Sequence, residues 1–196
     1  MNQRDRAIKL VKSDFAAAFR LAGSIENVRE RNQALGWVAR YAPADQIYRV
    51  IAAVNTGTGT SSDLYEQVMS LAWPIRALHE TGNSKMITSL LLPATRMAAS
   101  VSPVASRAEA ISLLIHAALP AGLTLANPAI TSLISLCNQA HWRAIRAFVN
   151  ASLLVNRHDR QRALQIANAI PDGNKRKSTI ERIGNIESIE PRPFFW

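Results

Sequence analysis

One spaced pattern occurs four times in this chain and restricts the fold more than any other feature. It runs alanine, two residues, an aliphatic, five residues, an arginine, three residues, an aliphatic. The copies are Ala22, Ile25, Arg31, Leu35; Ala98, Val101, Arg107, Ile111; Ala151, Leu154, Arg160, Leu164; and Ala167, Ile170, Arg176, Ile180. A partial copy at Leu71, Ala72 and Ile75 has no arginine at the expected place. Repetition of so short a unit points to helical hairpins stacked side by side.

Each repeated position has a physical task. The alanine lets a neighbouring helix approach closely, and the aliphatic three residues on lies on the same face near the end of the first helix. The five intervening residues cover a short loop and the start of the next helix. Arginine then falls within reach of the unpaired C-terminal carbonyls of the preceding helix, where a cation is favourable. The four arginines are therefore expected to hold hairpin corners.

Alanine and leucine dominate, and no stretch alternates with period two, so the chain reads as all-α. The expected architecture is a set of stacked antiparallel hairpins forming a short α-α superhelix of about eight to ten helices. Residues 1–190 form one helical-repeat domain on this reading, with 191–196 as an aromatic C-terminal tail.

The pattern predicts a first helix from about Arg4 to Ala22, a second from Val28 to Tyr41, and a third behind Pro43. Ser62 or Asp63 suits the N-cap of the next helix, with Glu66 placed to answer Asp63. Pro74 kinks or restarts the helix over 64–79, Pro93 bends the next, and Pro103 opens a helix through Leu119. Asn127 and Pro128 read as N-cap and first residue of a helix through about Gln139. No Lys, Arg, Asp or Glu occurs from Ala110 to Trp142. That run is broken by Pro120, Gly122 and Pro128, which favours a buried central repeat over a membrane span. Pro191 and Pro193 make the tail a non-helical hook, expected to fold back over an exposed end of the stack.

Catalytic constellations are hard to assemble from these residues. Cys137 and His141 are four residues apart, but two ligands make no zinc site, and a core cysteine beside a partly exposed histidine is the simpler reading. The glycines within 56–62 lack the lysine and preceding strand of a phosphate-binding loop. The 14 carboxylates are scattered. No catalytic residue, cofactor or metal ligand is assigned.

Charge carries the functional hint, at a formal net +9. Residues 141–196 hold ten basic and five acidic groups, residues 1–50 nine and five. Setting aside the corner arginines, Arg6 and Lys9 at one end, and Trp142, Arg143, Arg146, Lys175 and Lys177 at the other, are the candidate interaction surface. Phe194, Phe195 and Trp196 are candidate docking residues of the tail. Trp142 has two readings, a stacking surface beside Arg143 or an anchor in the core.

The repeated residues resemble those of α-solenoid helical-repeat proteins with TPR-like and HEAT-like hairpins. The resemblance is generic, since the tryptophan, glycine and tyrosine positions of the TPR signature are absent. The class implies a binding surface rather than a catalytic pocket. A non-enzymatic module that binds another, acidic or helical, protein is the first expectation. A basic nucleic-acid-binding solenoid is the alternative, because some HEAT-like proteins embrace DNA with a basic face. One cysteine and no apolar leader behind the N-terminal charges lead us to expect a cytoplasmic protein. A signal for a specialised secretion route would leave no such mark, and oligomeric state is not encoded in any of these features.

Overall fold

Polar side chains that can accept a backbone N–H punctuate the chain, and they set where its helices start. The structure, a computed structural model, describes residues 1–58, 63–138 and 140–195. Among the described residues it is all-α, without strands. Twelve α-helices follow one another: α1 (Gln3–Leu10), α2 (Phe15–Gly23), α3 (Val28–Arg40), α4 (Ile47–Thr58), α5 (Leu64–Ser70), α6 (Ala72–Glu80), α7 (Ile87–Ala98), α8 (Val104–Ala118), α9 (Leu123–Ile134), α10 (Trp142–Asn156), α11 (Arg160–Asn168) and α12 (Gly173–Gly184). Asn2, Asp14, Asn27, Asp63, His141, Asp159 and Asp172 cap α1, α2, α3, α5, α10, α11 and α12 through their side chains. Asp63 accepts from the N–H groups of both Tyr65 and Glu66, as its spacing predicts.

The helix count exceeds expectation because two predicted helices are each split. Asp14 caps α2 by accepting from Ala17 N–H at 2.9 Å, ending the run expected from Arg4 to Ala22. The second split falls at Leu71. Pro74 becomes the third residue of α6, in the first turn, where no intrahelical partner is required of its missing N–H. Three further boundaries differ. Pro103 is the N-cap of α8 rather than its first residue. Helix α9 starts at Leu123 behind Gly122, whose φ of 126° suits glycine alone, so Pro128 lies inside the helix and Asn127 accepts from Arg162 instead of capping. That helix ends at Ile134, which leaves Cys137 in an exposed turn rather than in the core. Gln139, Ser62 and the glycine-rich stretch beyond 58 lie outside the described residues, as does Trp196.

The helices pack in two rows. One runs α1, α3, the α5–α6 pair, α8, α10 and α12, each against the next, and the second holds α2 with α4, and α7, α9 and α11 in succession. Between them lies one buried cluster that extends from Ala7 to Phe194. Residues 31–39 of α3 are all buried, because α1, α2, α4, α5 and α6 surround that helix. Two of its polar side chains bond across the row: Arg4 donates to Gln33, and Asn32 donates to Ser70 Oγ at 2.8 Å. The charge-free run supplies much of the central core through Ile111, Leu114, Ile115, Leu119, Ile130 and Leu133. No helix among the described residues is long and apolar enough to cross a membrane.

The repeated arginine does hold a corner in three of its four copies. Arg31 donates to the Ile25 carbonyl at 3.1 Å, Arg107 to Val101 at 3.0 Å and Arg176 to Ile170 at 3.3 Å. In each case the arginine is the fourth residue of a helix and clamps the buried aliphatic of the loop before it. The copy at Ala151 is out of register. Helix α10 continues through Leu154 to Asn156, so Arg160 is the first residue of α11, and its guanidinium lies beside Gly184 at the end of α12.

Candidate interaction surfaces

Three features of the first row bring side-chain chemistry together. The first is a groove of about 420 Å³ between α10 and α12, lined by Trp142, Ile145, Arg146, Val149, Lys175 and Arg182 together with Asp172, Ser178 and Thr179. Helical spacing puts Trp142, Ile145 and Val149 on one strip of α10, and Lys175, Ser178, Thr179 and Arg182 on the facing strip of α12. Trp142 is 61% exposed, so it is not the core anchor that one reading of the sequence allowed. The Arg146 guanidinium lies 5.1 Å from the centre of its ring, and the His141 ring stacks near it at 5.9 Å. Apolar wall, basic rim and exposed indole thus share one groove.

The structure treats the sequence candidates unequally. Trp142, Arg146 and Lys175 meet at this groove, while Arg143, half-buried, turns away to pair with Glu109. Lys177 is exposed on α12 outside the groove lining, and Arg6 and Lys9 are exposed on α1 at the opposite end of the row. Arg182 lines the groove without having been singled out. It pairs with Glu187, whose carboxyl is held below its ordinary range by that hydrogen bond.

The second feature is a polar cleft of about 440 Å³ between α5, α8, α10 and the tail, lined by Tyr65, Glu109, Ser112, His116, Asn150 and Arg192 among others. Glu109 bridges Arg143 and Arg146, and hydrogen bonding to Arg143 above all holds it in the ionised form. Burial, with Tyr65 close to Glu109, pushes the Tyr65 hydroxyl above its ordinary value. His116 accepts the Arg192 backbone N–H on Nδ1 at 3.1 Å. Burial, then the nearby Arg192 and Arg76, lowers its pKa to about 4, so the ring is neutral at physiological pH with its remaining proton on Nε2. These groups can orient a polar ligand, but the carboxylate is engaged twice over. None of them had a sequence signal beyond Glu109 standing at the edge of the charge-free run and His116 within it.

The third feature is the tail, which crosses the first row instead of covering its end. Asn156 of α10 donates to the Glu187 carbonyl at 2.9 Å, and Arg157 pairs with Glu190. Past the His116 contact, Phe194 is buried and its carbonyl accepts Trp73 Nε1–H at 3.0 Å. Phe194 meets Trp73 of α6 edge to face at 5.4 Å, and Phe195 meets Trp37 of α3 the same way at 5.2 Å. Arg40 stands 4.5 Å from the Phe195 ring centre and Arg76 5.9 Å from that of Phe194. Glu80 pairs with both arginines, at 2.9 and 3.0 Å.

Many carboxylates are thus committed to helix caps or to arginine pairs. No group of three His, Cys, Asp or Glu able to hold a metal ion occurs among the described residues, and Cys137 and His141 stand in a turn and at an N-cap. Comparison with known proteins finds no family model, no curated protein and no solved structure that matches this chain.

Proposed function

We propose that this protein is a non-enzymatic interaction module that binds an acidic segment of another protein in the groove between α10 and α12. The observation that carries the reading is the exposed Trp142 at an apolar groove whose rim holds Arg146, Lys175 and Arg182. An exposed aromatic beside cations is the composition expected of an interface anchor. Residues 141–196 carry ten basic against five acidic groups, so the partner segment is acidic, with an apolar side chain to lie against Ile145 and Val149.

Nucleic acid fits this surface less well. Arg146 and His141 already lie against the Trp142 ring, which leaves less of its face for a base. Arg143, Arg146, Arg157 and Arg182 are each paired with a carboxylate of the same chain, two of them at the groove rim, so the surface suits one or two carboxylates of a peptide beside its apolar wall better than a run of phosphate contacts.

A labelled peptide of glutamates and aspartates around one leucine is the test probe, read by NMR shifts of the titrated protein. Shifts at the Trp142 indole and along the α12 strip are expected, and Trp142→Ala and Lys175→Glu should each weaken binding about tenfold or more. Shifts elsewhere, or unchanged affinity in both variants, would contradict the proposal.

A further inference from the structure

The tail occupies a built site. An indole N–H donor, two aromatic rings and two guanidinium neighbours are matched to residues 194 and 195, and Glu80 fixes both guanidiniums in place. Helices α3 and α6 approach closely enough at Gly36 to set Trp37 and Trp73 in one seat. The segment that reaches this seat is held at separate points, by Asn156 at the Glu187 carbonyl, Arg157 at Glu190 and His116 at the Arg192 N–H, with exposed residues between them. Residues 185–188, 190, 192 and 193 are exposed. The turn after α12 is itself strained. Helix α12 ends with the Glu187 N–H bonded to the Arg182 carbonyl, which places Ile186 in the left-handed position at φ 60° and 82% exposed. That position ordinarily takes glycine, as Gly82 does after α6 at φ 76°.

We propose that the Trp37–Trp73 seat is a peptide-binding site in its own right, and that the tail is its resident, displaceable ligand. The partner it takes in trans is an extended segment in which two adjacent aromatic residues follow a proline, the chemistry of residues 193–195. Trp73 Nε1–H would bind the backbone carbonyl of its first aromatic residue. The guanidiniums of Arg76 and Arg40 would lie over its rings. A tethered ligand works at an effective concentration in the millimolar range, so a weak intrinsic contact keeps the seat filled until a tighter segment arrives. This reading shares with the proposed function only the idea of an interaction module. The two sites use different residues, and each can fail without the other.

The experiment uses a fluorescent peptide of residues 187–196 and the full chain carrying Phe194→Ala and Phe195→Ala, its helicity checked by circular dichroism. Saturable binding to that variant is expected, with wild type about tenfold weaker or more because its own tail competes. Adding Trp73→Phe should weaken binding again, and Trp142→Ala should leave it unchanged. A folded variant that fails to bind, or binds no better than wild type, overturns the proposal. If the variant loses its helical signal, wild type is titrated with unlabelled peptide to millimolar concentration while the NMR shifts of the chain's own Phe194 and Phe195 are followed. Movement toward the shifts of an unstructured segment supports displacement, and unchanged shifts overturn it.

Discussion

Gly36 on α3 sits directly against Trp73 on α6: a Cβ added at Gly36 would lie 2.9 Å from Trp73 Cβ and 3.1 Å from its backbone carbon. Neither neighbour is the free end of a side chain, so the helices must part to admit even a methyl group. Gly36→Ala is expected to cost about 1–3 kcal/mol despite its better helix propensity. Because Trp73 also holds the tail, faster exchange of its indole Nε1–H, which donates to the Phe194 carbonyl, should accompany the loss. A chemical denaturation curve checks the first point, and an unshifted midpoint would show that α3 and α6 are less tightly apposed.

The corner arginines should differ in weight by burial. Arg31 is 7% exposed, whereas Arg176 is exposed on α12. Arg31→Ala is expected to cost about 2–3 kcal/mol, since it deletes a charged donor in a buried corner, and Arg176→Ala about 1 kcal/mol or less. Urea unfolding of the two variants measures the contrast. Equal losses would mean that burial does not set the strength of the clamp.

Much of this architecture was legible in the residues themselves. The Ala–aliphatic–Arg spacing located three corners, because a buried plug and a guanidinium six residues later have few other uses at a helix junction. It misplaced the copy at Ala151, because α10 continues past Leu154 and the same spacing then falls across a different part of the turn. Asp14 and Gly122 moved two helix starts, which shows local capping and backbone freedom prevailing over a continuous apolar stripe. The groove was half legible. Trp142, Arg146 and Lys175 stood out by charge and aromaticity, but which basic groups are consumed by ion pairs depends on α8 and the tail, whose positions no local pattern records. The Trp37–Trp73 seat was invisible for the same reason: it joins side chains from α3, α6 and the C-terminus.

His116 should make stability depend on pH. Its pKa is lowered to about 4 in the folded protein, against an ordinary value near 6.5. The unfolded chain therefore takes up the proton first as pH falls. The His116 contribution is fully present above about pH 6.5, is lost progressively down to about pH 4, and amounts to about 3 kcal/mol. His79, also lowered by burial, acts in the same direction, so the comparison is with His116→Asn. Thermal melts between pH 7 and pH 5 should fall more steeply for wild type than for the variant. Parallel curves would remove His116 as the source.

Ile186→Gly should stabilise the protein. The left-handed conformation costs a side-chain-bearing residue about 1–2 kcal/mol, while glycine's extra freedom in the unfolded chain returns about 0.5–1. A net gain of about 0.5–1 kcal/mol is expected. A lower melting temperature in the glycine variant would mean that contacts of the exposed isoleucine outweigh the strain.

Whether the α10–α12 groove takes an acidic protein segment is read by titrating one preparation with two fluorescent probes at low ionic strength. One is the acidic peptide with its single leucine, the other a short DNA duplex, each against wild type and Trp142→Ala. Saturable peptide binding that Trp142→Ala weakens about tenfold or more is expected, with DNA weaker and largely indifferent to that substitution. Tight DNA binding that collapses with added salt, alongside no binding of the peptide, would contradict the proposed function.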